Sequence, residues 1–352
     1  ITTDNVNVSS VNDIRLASQG NKVNSFIVNG LGTDNSINGS IELAGSKDDG
    51  FTANLNGVTV NNGGVTVTNY AKNGTLNISG GSVTTTDAEK GSVTFSSEGS
   101  ITSDATVNSA ANINMNADGA IDNDGSLTAQ NNVNVDTTAG AIELGGSVTA
   151  NTGNVNVETD SGTITTTGNV TGDEKVIINS GAGDVTVNGD VTATNEEVKV
   201  TTGSGSITTT GNISGGTEVN VHSDNGAINI GDASGNGIVN AGTNVNVTTD
   251  SGAITTTGAI TGGSNVIVDA GTLGNVSLGG SVTAKTGNVN VETDSGTITT
   301  TGNVTGDEKV IINSGEGDVT VNGDVTATNE EVKVTTGSGS ITTTGNISGG
   351  TE

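Results

Sequence analysis

The feature that most constrains this chain is a beat of about 22 residues, kept in step by two sets of aliphatic side chains. One set runs Ile142, Ile164, Val185, Ile207, Ile228, Ile254, Val276, Ile298, Val319 and Ile341, in steps of 22, 21, 22, 21, 26, 22, 22, 21 and 22. The other runs Val133, Val155, Val176, Val198, Val219, Val245, Val266, Val289, Val310 and Val332. Two registers that advance together make each repeat one coil of a solenoid, able to bury its apolar face only against its neighbours. A longer repeat is superimposed: residues 144–218 and 278–352 match at an offset of 134, differing only at Asn151 against Lys285 and Ala182 against Glu316. A tandem duplication explains that identity.

Within a coil the pattern reads as three strands and three corners. Gly162-Thr163-Ile164-Thr165-Thr166-Thr167 forms a first strand, and Gly168-Asn169 a bend. Val170-Thr171 is a short second strand, Gly172-Asp173 turns, Lys175-Val176-Ile177-Ile178 is a third, and Asn179-Ser180-Gly181 closes the coil. Val155 and Val157 alternate with Asn154 and Asn156, the period of two that a strand with one buried face requires. Gly, Asn and Asp at the corners are expected to supply positive φ angles. The expected fold is all-β: a right-handed parallel β-helix of about 21–22 residues and three short strands per coil. Roughly 16 coils spaced as strands in a sheet predict a rod on the order of 75 Å long. No window keeps a 3.6-residue period, and runs of Thr, Val, Gly and Asn form poor helices.

Composition fits a narrow core repeated many times. The 352 residues include 56 Gly, three Phe, one Tyr and no Pro, Cys or Trp. Proline is barred from the interior of a hydrogen-bonded ladder, and β-branched residues favour strands. An acidic disordered chain is the competing reading of 30% hydrophobic residues, but strict patterning of those residues opposes it. Residues 81–352 hold the period, with 144–218 duplicated as 278–352. Residues 1–80 hold it less well; Arg15, Phe26, Phe51 and Tyr70 fall there, and degenerate coils or the approach to a cap are expected. Thr351 and Glu352 match Thr217 and Glu218, which precede the strand of Val219. The sequence therefore reads as an uncapped piece of something longer. Neither a signal peptide nor an apolar run of membrane-spanning length is present.

A net charge of −28 excludes nucleic acid as a partner and opposes an anionic membrane surface. Catalysis by nucleophile and histidine base is disfavoured, because the single histidine, His222, falls at an outward position after Val221. Without Cys, and with one His, no zinc cluster is available. A β-helical polysaccharide lyase or hydrolase is the enzyme alternative. Its candidate groups recur with the repeat, however: Lys175 as Lys309, Lys199 as Lys333, Glu196-Glu197 as Glu330-Glu331, and Asp173-Glu174 as Asp307-Glu308. Duplicated groups read as solvated coil corners, not as the unique carboxylate pair a glycosidase needs. No catalytic, cofactor-binding or metal-binding residue is therefore assigned. Structural calcium at Asp- and Asn-rich corners is the one metal the composition leaves open, although no calcium-roll or EF-hand motif occurs. Asp232-Ala233-Ser234-Gly235-Asn236-Gly237, in the one step of 26, reads as a corner loop longer by about four residues. Pairs such as Thr165/Thr167, Thr208/Thr210, Thr255/Thr257, Thr299/Thr301 and Thr342/Thr344 face outward but alternate with Thr186/Asn188 and Asn229/Gly231, a mixed face for ordering ice. About ten Asn-x-Ser/Thr sequons, among them Asn169, Asn212, Asn246, Asn303 and Asn346, have the form that accepts sugar in a secreted protein, although a chain this rich in Asn and Thr makes many by chance.

Repeats such as Gly-Thr-Ile-Thr-Thr-Thr-Gly-Asn-Val-Thr-Gly and Gly-Asp-Val-Thr-Val-Asn-Gly-Asp-Val-Thr-Ala resemble those of filamentous-haemagglutinin-type adhesins, over roughly residues 80–352. That resemblance implies a β-helical shaft exported by two-partner secretion through an outer-membrane transporter, with roles in attachment, aggregation or biofilm formation. It also implies an extracellular or bacterial cell-surface location. The partners implied are a host or bacterial surface glycan or protein, or a biofilm exopolysaccharide. Two departures are visible: coils of 21–22 residues are longer than the family's usual repeat, and its Asn-Pro secretion motif has no place in a chain without proline. The expected function is the structural shaft of a large adhesin. The alternative is a surface-layer or filament subunit, self-associating end to end or laterally.

Overall fold

The computed structural model describes residues 1–350. Thr351 and Glu352, on which the expected start of a further strand rests, lie outside the described residues. The chain divides into two compact units, Ile1–Asp173 and Glu174–Glu352, and each is built from parallel strands in three sheets. The fold is the expected one, a right-handed parallel β-solenoid of about 16 coils with three strands per coil. One short 3-10 turn, Thr33–Asn35, is the sole helical element among the described residues.

In the second unit the coil pattern is plain. A five-residue strand such as Val198–Thr202 is followed by two three-residue strands, Ile207–Thr209 and Ile213–Gly215. Each pairs in parallel and in register with its counterpart one coil on: Val198 faces Val219, Ile207 faces Ile228, and Ile213 faces Val239. Three sheets result, one of long strands and two of short strands. The first unit repeats the scheme, as Val133–Thr137 on Val155–Thr159, Ile142–Leu144 on Ile164–Thr166, and Val148–Ala150 on Val170–Gly172. Residues 1–80 carry strands of the same sheets, but long corners separate them. Ile14 pairs with Ile41, Ile41 with Val65, and Val65 with Val93, so the aliphatic beat stretches beyond 22 there. Phe26 and Phe51 fill this wider interior edge to face, with ring centroids 5.4 Å apart.

Alternation within each strand decides what is buried. Val155, Val157, Ile164 and Val170 are fully enclosed, as are their counterparts along both units. Burying one such side chain contributes about 1.5–3 kcal/mol, and the columns repeat that gain coil after coil. The last members behave differently: Val332 is half-buried, while Ile341 and Ile347 are 46% and 48% exposed, because no described strand covers them.

Corner length explains the uneven beat. The corner between the second short strand and the next long strand has four residues at 151–154 but three at 216–218, which turns a coil of 22 into one of 21. In the step of 26 the corner between the short strands is eight residues, 231–238, where 210–212 has three; the insertion is a loop, as expected. The coil closure differs from the sequence reading: Asn179 and Ser180 belong to the strand Val176–Ser180, and the corner begins at Gly181.

The corner glycines also work differently from expectation. No described residue between 82 and 230, or after 271, has a positive φ. Instead these glycines lie directly over one another. A Cβ on Gly252 would fall on the carbonyl of Gly226, one on Gly274 on that of Gly252, and one on Gly296 on that of Gly274. Glycine is required here by the close approach of successive backbones, not by a left-handed conformation.

Candidate functional site

The outer face of the long-strand sheet carries most of the side-chain chemistry. At the second position of three successive long strands of the first unit asparagines form a ladder: Asn134 Nδ2 donates to Asn114 Oδ1 and Asn156 Nδ2 to Asn134 Oδ1, each at 2.9 Å. At the corners the ladder is between side chain and backbone. Asp184 Oδ1 accepts the Ser206 N–H at 2.7 Å, and Asp324 Oδ1 accepts that of Asn346 at 2.8 Å. An Asx side chain at these positions caps the backbone of the next coil, which accounts for much of the Asn and Asp content.

The repeated charged groups that sequence analysis considered for catalysis meet one another. Lys175 approaches Glu196 at 3.7 Å and Glu197 at 4.0 Å; in the duplicate, Lys309 lies 2.9 Å from Glu331 and 4.0 Å from Glu330. The hydrogen bond from Lys309 holds the Glu331 carboxyl below its usual range, and the same bond raises the lysine. Such pairs, on neighbouring rungs, are surface electrostatics. Two carboxylates shift the other way. Desolvation beside the neighbouring strands raises Asp136, and Asp160 adds to it. Desolvation also raises Glu292, followed by Asp269 and Asp294, with Lys333 opposing. Asp136 lies over Glu158 and Asp269 over Glu292 in register, so acidic groups of adjacent coils crowd together. Among the described residues, no group of three or more His, Cys, Asp or Glu side chains is placed to hold a metal ion.

His222 is outward, as its phase predicts. Its Nδ1 lies 2.8 Å from Thr248 Oγ1 on the next coil and its Nε2 3.0 Å from Asp224 Oδ1. The ring thus bridges two surface groups. In the loop, Asp232 accepts hydrogen bonds from the Asn236 side chain at 3.0 Å and the Ser234 N–H at 2.8 Å, and these hold its carboxyl below the usual value. The loop is tied to itself.

Sequence reasoning missed the inward hydroxyls. The last inward position of the long strand is a column of Thr and Ser, including Thr159, Ser180, Thr202, Ser223, Thr249, Thr293 and Ser314, all buried. Thr202 Oγ1 donates to the Gly183 carbonyl of the coil before at 2.7 Å and accepts the Gly205 N–H of its own coil at 3.2 Å. Ser314 does the same with Gly296 and Gly317, at 2.7 and 2.8 Å. The signal was present as Ser/Thr followed by Gly three residues later. A second buried set, Thr166, Thr209, Thr256 and Thr300, has Oγ1 atoms without hydrogen-bond partners.

Shallow depressions mark the surface where ladders are uneven. One of about 310 Å³ lies around Ile267 among asparagines, and another of about 220 Å³ near Tyr70, Glu98, Asp118 and Asp136. Among the described residues no helix is long and apolar enough to cross a membrane. Comparison with family models, characterised proteins and solved structures finds no match.

Proposed function

We propose that this segment is the structural shaft of a large bacterial cell-surface or secreted adhesin, serving attachment, aggregation or biofilm formation, and that no reaction is catalysed along it. The observation that supports this reading most is the use made of the repeated polar groups. The candidate catalytic lysines and carboxylates, Lys175 with Glu196 and Glu197 and Lys309 with Glu330 and Glu331, pair between coils. Corner Asp and Asn side chains cap neighbouring backbones. Chemistry that recurs with the repeat and joins neighbouring coils belongs to a scaffold; an active site is a local exception to its scaffold. On this reading the protein is extracellular, passes an outer-membrane transporter during export, and presents a ligand-binding region to a surface glycan or protein. Deleting residues 81–350 in frame from the gene of the producing bacterium is expected to abolish cell aggregation and surface attachment. Unchanged aggregation and attachment would reject the proposal.

A further inference from the structure

The outward rung of the second unit is mixed: Ile177 and Ile311 lie against Lys199 and Lys333, whereas Ile267 has asparagine on both sides. On the long strand Val266–Asp269, Ile267 occupies the outward rung between Asn246 and Asn290. The equivalent rung in the first unit is Asn134, bonded to Asn114 on one side and Asn156 on the other. The adjoining corners are alike. Asn244, Asn265 and Asn288 line the adjoining corner, with the Asn265 N–H bonded to Asn244 Oδ1 at 3.4 Å and the Asn288 N–H to Asn265 Oδ1 at 3.0 Å. In the first unit the Asn132 N–H bonds to Asn112 Oδ1 at 3.0 Å and the Asn154 N–H to Asn132 Oδ1 at 2.8 Å. Asn290 even belongs to the duplicated stretch and matches Asn156 residue for residue. The same sequence thus sits over an asparagine in one copy and over an isoleucine in the other.

Asn290 lies between Ile267 and Ile311, and Asn246 between Asn220 and Ile267. The Asn290 amide has no hydrogen-bond partner among the described residues, and Asn246, which donates its Nδ2 to Glu218 at 2.6 Å, keeps its Oδ1 unused. Between them Ile267 stands 37% exposed, at the floor of a depression of about 310 Å³. Two strand spacings, on the order of 10 Å, separate the flanking amides. The result is an aliphatic patch framed by uncharged donors and acceptors, with Asp269 and Glu292 further along the same strands.

We infer that this isoleucine framed by two asparagines is a binding site for a neutral oligosaccharide. A pyranose presents C–H groups on one face and hydroxyls around its rim. The C–H face covers Ile267, while rim hydroxyls donate to Asn246 Oδ1 and both donate to and accept from the Asn290 amide. Amides discriminate hydroxyl-bearing ligands because each lost partner leaves a desolvated polar group. The nearby carboxylates repel uronic-acid and sulfated glycans, so the ligand is uncharged. The inference rests on the adhesive reading in taking a glycan as the natural partner, and it names the site and the sugar class.

The test uses the purified chain and neutral hexasaccharides of glucose, mannose and N-acetylglucosamine, titrated by calorimetry. Wild type is expected to bind at least one of them with one site per chain. Ile267→Asn, which restores the rung found at Asn134, is expected to keep the fold by circular dichroism and weaken binding at least tenfold. Asn134→Ile, which breaks the matching ladder in the first unit, is expected to raise the stoichiometry to two. Wild-type binding unaffected by Ile267→Asn would overturn the site, as would failure of every neutral hexasaccharide to bind wild type. Either failure leaves the adhesive reading standing or falling on the cell-aggregation experiment alone.

Discussion

At the scale of single residues, two kinds of buried hydroxyl call for opposite substitutions. Thr209 places its Oγ1 in the interior without a partner, at a position that Val187 and Ile230 fill on the coils on either side. Thr209→Val keeps the shape and removes an unsatisfied polar atom. It is expected to raise unfolding stability by about 1 kcal/mol, read from the denaturant midpoint at unchanged slope. Thr202 is the reverse case, since its hydroxyl joins the Gly183 carbonyl to the Gly205 N–H. Thr202→Val leaves both buried and is expected to lose about 1–3 kcal/mol by the same measurement. The shifted carboxylates set the pH behaviour. Asp136 and Glu292 are raised, so their contribution is most favourable below the ordinary carboxylate values and is lost as pH rises through the raised ones. Glu331, Asp87 and Asp232 are lowered, so theirs is present above the ordinary values and lost as pH falls through the lowered ones. Asp136→Asn is therefore expected to raise the melting temperature near neutral pH, with the difference vanishing below the ordinary aspartate value of 3.8. A difference that persists there would locate the effect in packing instead of charge.

Among the elements, the strands and the places of most corners were legible, but the reason the corners need glycine was not. Period-two alternation places Val155 and Val157 inward without ambiguity, and the columns through Val133 and Ile142 follow from counting. The face of Thr166 is not given by β propensity, which says nothing about which side of a strand a threonine takes. Its inward position follows only once Ile164 is fixed and the strand is counted on by two. Corner glycines were misread for a related reason. Sequence shows that glycine is needed at Gly252 but not whether the cause is torsion or space, and here the carbonyl of Gly226 fills the site of the missing Cβ. Gly252→Ala must spread two coils apart and is expected to cost about 1–3 kcal/mol, measured against wild type in urea. At Gly235, in the eight-residue loop, φ is +81° and open space surrounds the site of a Cβ, so conformation alone demands glycine there. The rung of Asn246, Ile267 and Asn290 follows from counting on by one from the column of Val245, Val266 and Val289, but that Asn290 lacks a hydrogen-bond partner shows only in the structure.

For the molecule as a whole, stability of each unit is close to a sum of similar coils and the interfaces between neighbours. That view explains how a chain with three phenylalanines and no tryptophan assembles a core: no large central cavity needs filling. It also explains how −28 charges are tolerated, because they are distributed along outward positions and corners in contact with water. Everything follows from parallel, in-register stacking at a period of about 22 residues. The chain has no native cysteine, so engineered pairs report on that stacking directly. Thr283 and Thr305 face each other across one coil in the second unit, within the Cα separation a disulfide spans, whereas Asp294 lies half a coil away at a corner. Thr283→Cys with Thr305→Cys is expected to oxidise to an intramolecular disulfide in the native state, and Thr283→Cys with Asp294→Cys to remain reduced. Closure of the half-coil pair with the full-coil pair left open would contradict the solenoid.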